Sequence, residues 1–263
     1  MSSQHVTHRR SPPFTHACEP MSKKFSFDQA GYCDICETDV VFHADFKWFR
    51  DHLLCPNCHS VPRERALMRA MDLYAPNYRK MRIHESSPGG RGVSVKLGRT
   101  CPGYSYSHYF PDVPPGTVHS ERGELCQSLE ALTFAEASFD LFITQDVMEH
   151  ILDPAAAFRE IARVLKPGGM HILTVPIVNK CKPSSRRAER AEDGTIRHLA
   201  EPSYHGNPID DKGSLVTMDW GYDITAFIRQ ESGLSTHMIT MDEIERGIQA
   251  EYIEVIVSTK PQA

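Results

Sequence analysis

Residues 139–150 read FDLFITQDVMEH, and a second apolar run, MHILTVPI, follows at 170–177. Residues 139–144 are mostly apolar and β-favouring, which predicts a buried strand. The end of that strand is crowded, because Gln145, Asp146, Glu149 and His150 follow at once. In an open α/β sheet, ligands bind outside the carboxyl ends of the strands, so polar side chains at that edge are delivered to a ligand. A helix starting there, with its acids complementing the helix dipole, gives the same pattern, and both readings can hold together.

Outward from this stretch, strands alternate with helices. Strands are expected at 81–86, 104–109, 139–144, 170–175, 235–240 and 252–259, with a Gly-rich turn at 88–92 and helices at 154–165 and 222–232. The helix at 154–165 has Asp153 as N-cap, Pro154 at its first position and KPGG as its stop. Alternation of this kind predicts the α/β class, a mostly parallel sheet with helices on both faces. Between the strand at 170–175 and the helix at 222–232 lies a polar stretch, 179–219, too long for a bland connection.

The chain has 263 residues, 40% of them hydrophobic, so it can bury a full core. A formal charge of -5 and a pI near 6.3 give no global attraction to nucleic acid or to an anionic membrane. No apolar run reaches the ~18 residues of a membrane span, and a soluble cytoplasmic protein is expected. Residues 1–25, rich in Ser, His, Pro and Arg, are expected to form a disordered leader. Oligomeric state is not legible.

Four of the eight cysteines pair as CDIC, Cys33 and Cys36, and CPNC, Cys55 and Cys58. Each CxxC presents two thiolates to one metal, and the eighteen residues between the pairs suffice for a hairpin that brings them together. Four soft thiolates favour zinc, and a closed thiolate shell makes the metal structural. A thioredoxin-like CxxC would leave one pair unexplained, and paired disulfides belong to secreted chains. A zinc-binding module is therefore expected at 26–62. Cys18, Cys101, Cys126 and Cys181 read as ordinary thiols, and His52 and His59 as surface histidines. A connecting helix is expected in the segment 63–80, ending before Pro76, with Arg63, Arg65 and Arg69 on a solvated face.

The stretch from Phe134 to Val175 resembles the class I S-adenosylmethionine-dependent methyltransferases. Their hallmark is an LPF-like turn, an FDLV strand, an EH pair at the strand end, a helix and then LKPGG. Here these elements are LTF at 132–134, FDLFIT, MEH at 148–150 and RVLKPGG at 163–169. The resemblance implies a Rossmann-like methyltransferase domain over 81–263, with S-adenosylmethionine as cofactor and 179–219 as a substrate lid. It implies that HESSPGGRG places Glu85 as the acid ending the first strand, followed by a turn through Ser87, Gly89 and Gly90. Ser107 and His108 stand where the family holds the ribose, Ser128 and Leu129 where it holds the adenine, and Gln145 and Asp146 along the methionine part. The family's ribose acid is missing at that place.

Asp146, Glu149 and His150 are also similar to the ExxEH group of some quinone-ring O-methyltransferases, whose acids there can hold a divalent metal. A capping Glu149 and a packed His150 is the plainer alternative. Some sugar C-methyltransferases carry a zinc-binding domain ahead of this core, which implies a small-molecule or glycan acceptor; a nucleic-acid partner is not expected, because Arg63, Arg65 and Arg69 have no aromatic residues interleaved. His205, His198 and His150 are the candidate bases, since histidine titrates near neutrality. A non-catalytic variant of the same core, docking on protein or nucleic acid through its zinc module, is the competing reading.

Overall fold

The computed structural model of the chain describes residues 25–262. The leader expected at 1–25 lies outside these residues but for Phe25, as does Cys18. Two strands, β1 (Phe27–Cys33) and β2 (Thr38–Ala44), pair antiparallel as a hairpin that carries the first CxxC at its turn. A single helical turn, α1 (Phe49–His52), leads to the second CxxC. Helix α2 (Pro62–Tyr74) follows, entered through Pro62, with Glu64 accepting a hydrogen bond from the Val61 N–H at 3.0 Å. It ends ahead of Pro76, and the rest of the connecting segment makes a 3-10 turn at Tyr78–Lys80.

Then come β3 (Ile83–Ser86), α3 (Gly92–Thr100), β4 (Tyr104–Ser107), β5 (Phe139–Gln145), α4 (Pro154–Val164) and β6 (Leu165–Thr174). The polar stretch forms short strands, β7 (Ser185–Arg186), β8 (Ala188–Arg190), β9 (Ile196–His198), β10 (Tyr204–His205), β11 (Ser214–Leu215) and β12 (Met218–Asp219). They pair as three antiparallel ribbons, β7 with β12, β8 with β9 and β10 with β11. Helix α5 (Ile224–Ser232), β13 (Ser235–Ile239) and β14 (Val255–Thr259) end the fold.

The main sheet has the order β13-β14-β6-β5-β3-β4. Strands β4, β3, β5 and β6 run parallel, and β14 is reversed between β6 and β13. Beyond β4 the sheet continues only as one parallel bridge, His108 to Cys126. Alternation along the strands sorts the core onto two faces. Leu141, Ile143, Ile172, Val255 and Val257 pack with α2 and α3, whereas Phe142, Leu173 and Ile256 pack with α4 and α5. The first of these cores also contains Cys33, Phe42, Leu53 and Cys55, so the cysteine hairpin and the sheet share one interior.

The KPGG segment does not act as a separate stop. Helix α4 starts as its capping chemistry predicts, with Asp153 accepting from the Ala156 N–H at 3.0 Å, but it ends directly in β6. Residues 166–169 form a bulge within that strand: Phe139 pairs with Leu165, and the next partners are Leu141 and Met170. Gly169 is required there, because a Cβ would come within 2.9 Å of the Lys166 carbonyl and 3.1 Å of the Asp140 carbonyl. The bulge also moves Phe139 to the α4 face.

The solvated arginine face is not found. Arg65 is wholly buried, lies 4.5 Å over the Phe42 ring and donates to the carbonyls of Leu53, Ser60 and Gly247. Burial lowers its guanidinium to about 10, so it stays charged at neutral pH. Loops around the second CxxC leave carbonyls without partners, and a five-donor fork satisfies several at once. Arg63 is turned inward as well, towards Asp146. Among the described residues no helix is long and apolar enough to cross a membrane.

Two histidines are buried in the sheet. His84 donates and accepts between the Ser105 and Ser107 hydroxyls, and His171 is bonded to Thr144 Oγ1 at 3.0 Å. Burial pushes both rings down to about 3. Unfolding restores them to about 6.5, so the unfolded chain binds more protons below that pH and stability falls as pH drops from 6.5 towards 3. Urea denaturation at pH 7 and pH 5 tests this with His171→Gln, whose amide does not titrate. The variant should lose about 2 kcal/mol less than the parent between the two pH values, and an equal loss would show that His171 protonates in the folded state.

Candidate active site

A cavity of about 1380 Å³ opens at the carboxyl ends of β3 and β5. There the strand order reverses, since the chain passes from β3 to β4 on one side while β5 lies on the other. Pockets for one small ligand run to about 300–1,000 Å³, so this cavity has room for a cofactor and an acceptor together.

One end is the turn between β3 and α3. Ser87 adopts φ 55°, a left-handed conformation that costs an L-residue about 1–2 kcal/mol. Its N–H donates to the Ser107 carbonyl at 2.7 Å, which holds the turn down on β4. Gly89 and Gly90 face the cavity, and a Cβ at either would meet nothing within 4 Å. Their backbone is thus open to a ligand. Ser128, Leu129 and Gln145 line the same cavity.

Glu85 lies beneath the turn, not on the cavity wall. Its carboxylate accepts from Ser94 Oγ at 2.8 Å, Tyr104 OH at 2.7 Å and Gln145 Nε2 at 2.6 Å. Burial raises its pKa against the pull of these donors. Its effect on the cavity runs through Gln145, whose amide it orients.

At the other end the chain breaks from β5 at Asp146, with φ 51°. Thr174 Oγ1 donates to Asp146 Oδ1 at 3.2 Å, Arg50 Nη2 donates to Oδ2 at 2.7 Å, and Arg63 Nε lies 2.8 Å from the same oxygen. Burial would raise this carboxyl, but the two guanidiniums outweigh it and hold it below the usual carboxylate range. Asp146 is therefore committed to an ion pair and is not a free ligand for a metal with Glu149 and His150.

Glu149 is different, with a nearly inaccessible side chain and no hydrogen-bond partner on either oxygen. Burial, reinforced by the charge of Asp146, holds its pKa well above the usual range. His150 Nδ1–H donates to the Leu215 carbonyl at 2.9 Å, which leaves Nε2 with a free lone pair 3.8 Å from Glu149. Strand β10 brings His205 edge-on to His150, with ring centroids 5.3 Å apart. Burial lowers both imidazoles, so they are neutral at pH 7. Glu149, His150 and His205 present ligand atoms within 4.8 Å of one another, a donor set suited to a divalent cation or to a hydroxyl that must lose its proton.

Besides Glu85, three of the expected residues do not line the cavity. His198 is exposed on β9, paired with Ala188 at the other end of the ribbon from Arg190 and Ile196, which do line it. Ser107 and His108 are buried in the sheet edge, and Tyr109 lines the cavity in their place. Sequence reasoning passed over Trp48, Arg50 and Asp51, which the segment between the two CxxC pairs brings to the cavity wall. The one local sign was an arginine set among aromatics, in FKWFRDH at 46–52.

The four thiols form a compact group. Cys33 and Cys58 Sγ lie 3.9 Å apart, Cys36 and Cys55 Sγ 3.7 Å, and all four lie within 4.8 Å of one another. A tetrahedral metal with sulfurs at about 2.3 Å has sulfur–sulfur edges of about 3.8 Å, so the residues fit zinc. His52 and His59 take no part in the group.

Comparison with known proteins is consistent with this geometry. A family described as "Methyltransferase domain" matches residues 107–173. A ubiquinone biosynthesis O-methyltransferase of Dinoroseobacter shibae is 30% identical over 45% of this chain and 51% of its own length. One from Cereibacter sphaeroides is 26% identical over 58% of this chain and 62% of its own. The chain thus spans half to three-fifths of these curated relatives. A solved S-adenosylmethionine-dependent methyltransferase of Mesorhizobium loti superposes with a TM-score of 0.46 at 16% identity, covering 74% of this chain and 97% of that one.

Asp146→Asn leaves Arg50 and Arg63 with the more exposed Asp51 as their remaining ion-pair partner among the described residues. A loss of about 2–4 kcal/mol is expected in urea denaturation at pH 7, below the fully buried range because these side chains keep some solvent contact. Adding Arg50→Met should restore part of it; strict additivity of the two changes would show that the pair does not interact.

Proposed function

We propose that this chain is an S-adenosylmethionine-dependent methyltransferase acting on an oxygen of a small-molecule acceptor, with a structural zinc at Cys33, Cys36, Cys55 and Cys58. The observation that carries this reading is the cavity at the switch point, with open glycine backbone at one end and a carboxyl beside two neutral imidazoles at the other. The methyltransferase-domain match and the similarity to O-methyltransferases support it.

Bound S-adenosylmethionine would supply an electrophilic methyl group on its sulfonium. In this reading Gly89 and Gly90 offer backbone to its amino-acid part, the side chain of Gln145 is oriented against it by Glu85, and Ser128 and Leu129 meet its ring system. What remains for the protein is to place an acceptor oxygen in line and take its proton. His150 suits that role, because Leu215 fixes the tautomer and the free lone pair therefore sits on Nε2, towards Glu149. His205 stands beside it as second base or orienter, and His198, which does not line the cavity, is given neither role. A glycan acceptor would use the same groups. The docking alternative finds less support, because the cysteine hairpin shares its core with the sheet and the segment after it carries Trp48, Arg50 and Asp51 to the cavity wall.

Calorimetric titration of the zinc-loaded protein with S-adenosylmethionine, with NAD as control, tests the reading. Saturable binding of the methyl donor alone is expected, and no binding by folded protein would reject it. Metal analysis should give about one zinc per chain. With an acceptor in hand, His150→Ala should cut kcat about 10²-fold or more. It should also remove an acid limb lying below pH 6.5 in the parent, as a base with a lowered pKa requires; an unchanged profile would assign the proton transfer elsewhere.

A further inference from the structure

We infer that the four-thiolate site is a working part of the cofactor pocket: by holding the second CxxC knuckle it positions the glycine turn, through Cys58 and Glu64, and the arginine pair on Asp146. This rests on the zinc site and the cofactor site proposed above.

The contacts run both ways along the chain from the thiolates. The first N–H of α3, on Gly92, is one of the donors a helix leaves without an internal partner, and the carbonyl of Cys58 accepts it at 3.3 Å. Gly92 sits at φ 56°, and a Cβ there would come within 2.5 Å of Glu64 Oε2 and 3.3 Å of Ser60 Cβ. The turn therefore lies flat against the knuckle. Glu64 clamps it, with Oε1 3.0 Å from Arg91 Nε and Oε2 accepting the Val61 N–H at 3.0 Å.

The arginines hang from the same support. Arg50 lies between the two cysteine pairs and Arg63 just after the second, so both ends of the segment that carries Arg50 are fixed at the thiolates. Arg50 also donates to the Tyr252 carbonyl at 3.1 Å, and Arg63 to Asp51 at 2.7 Å. Without the metal, four thiols within 4.8 Å of one another have no common bond to keep them there. The knuckle then loses its geometry, α3 loses its cap and the cavity loses one wall. Glu64, Arg50 and Arg63 are positioning residues in this account.

Hydrogen–deuterium exchange of the full chain, zinc-loaded and then stripped with a tight chelator, tests the inference without any cofactor. Stripping should raise exchange at least tenfold in peptides covering 86–100 and 45–54, while 139–174 stays protected; adding zinc back should reverse it. A change confined to 27–44, or an even loss along the whole chain, would overturn the inference. So would a folded protein that purifies without metal yet protects 86–100 fully.

Glu64→Ala gives a second arm that leaves the thiolates untouched. It should keep its zinc, lower the melting temperature by a few degrees as the Val61 N–H loses its acceptor, speed exchange at 91–93 and weaken S-adenosylmethionine binding at least tenfold. Parental exchange at 91–93 in a zinc-replete variant would overturn the inference. If the zinc-loaded parent binds no S-adenosylmethionine, the methyltransferase reading fails on its own, and the exchange data still decide this one.

Discussion

The carboxylate of Asp146 stands between two guanidiniums that come from a different part of the chain, and much of the pocket depends on that meeting. Asp146 ends the strand at the middle of the sheet, whereas Arg50 and Arg63 belong to the cysteine hairpin and the helix after it. A buried carboxylate with no counter-charge would take up a proton and release its partners. With both arginines in place it stays ionised, and its charge in turn helps keep the Glu149 proton on. Two carboxyl groups three residues apart are thereby pushed in opposite directions. One is a fixed anion within an ion pair, and the other is a hydrogen-bonding group with both oxygens free for a ligand.

The single interior shared by hairpin and sheet makes the same point through packing. Phe42 and Leu53 lie in one core with Ile143, Ile172 and Val257, and the Arg65 guanidinium bonds to the carbonyl of Gly247 across most of the chain's length. A small cysteine module could have been tethered by a linker. Here it replaces part of the helical cover that one face of the sheet would otherwise need.

Much of the fold was legible because it is written in local periodicity. The run at 139–144 reads as a strand, Asp153 and Pro154 read as a helix start, and the edge following the strand reads as a site. What was not legible depends on partners distant in sequence. Arg63 and Arg65 sit off the apolar stripe of their helix, so spacing alone puts them in solvent; the carbonyls and the carboxylate that draw them inward come from residues 53, 146 and 247. His198 and His205 lie in the same polar stretch and have the same chemistry, and only their places in the ribbons set His205 beside His150 and leave His198 off the cavity lining. Ser107 ends β4 and Tyr109 lies two residues beyond, outside the strand, so which of the two meets the cavity was not readable from alternation in YSYSHY. The KPGG segment reads as punctuation, although two glycines can equally well let a strand bulge while it continues.

The carbonyl that fixes the His150 tautomer belongs to Leu215, at the base of a ribbon made of two-residue strands, opposite Tyr204. Few backbone bonds hold that ribbon, so it can lift at small cost while the sheet stays folded. Once it lifts, the imidazole is free to carry its proton on either nitrogen and half of its orientation is lost. Under the proposed function, covering the cavity and arming the base become a single event: an acceptor that fails to draw the ribbon down meets a histidine that is present but not aimed. Selectivity could reside in that requirement without any added contact to the acceptor.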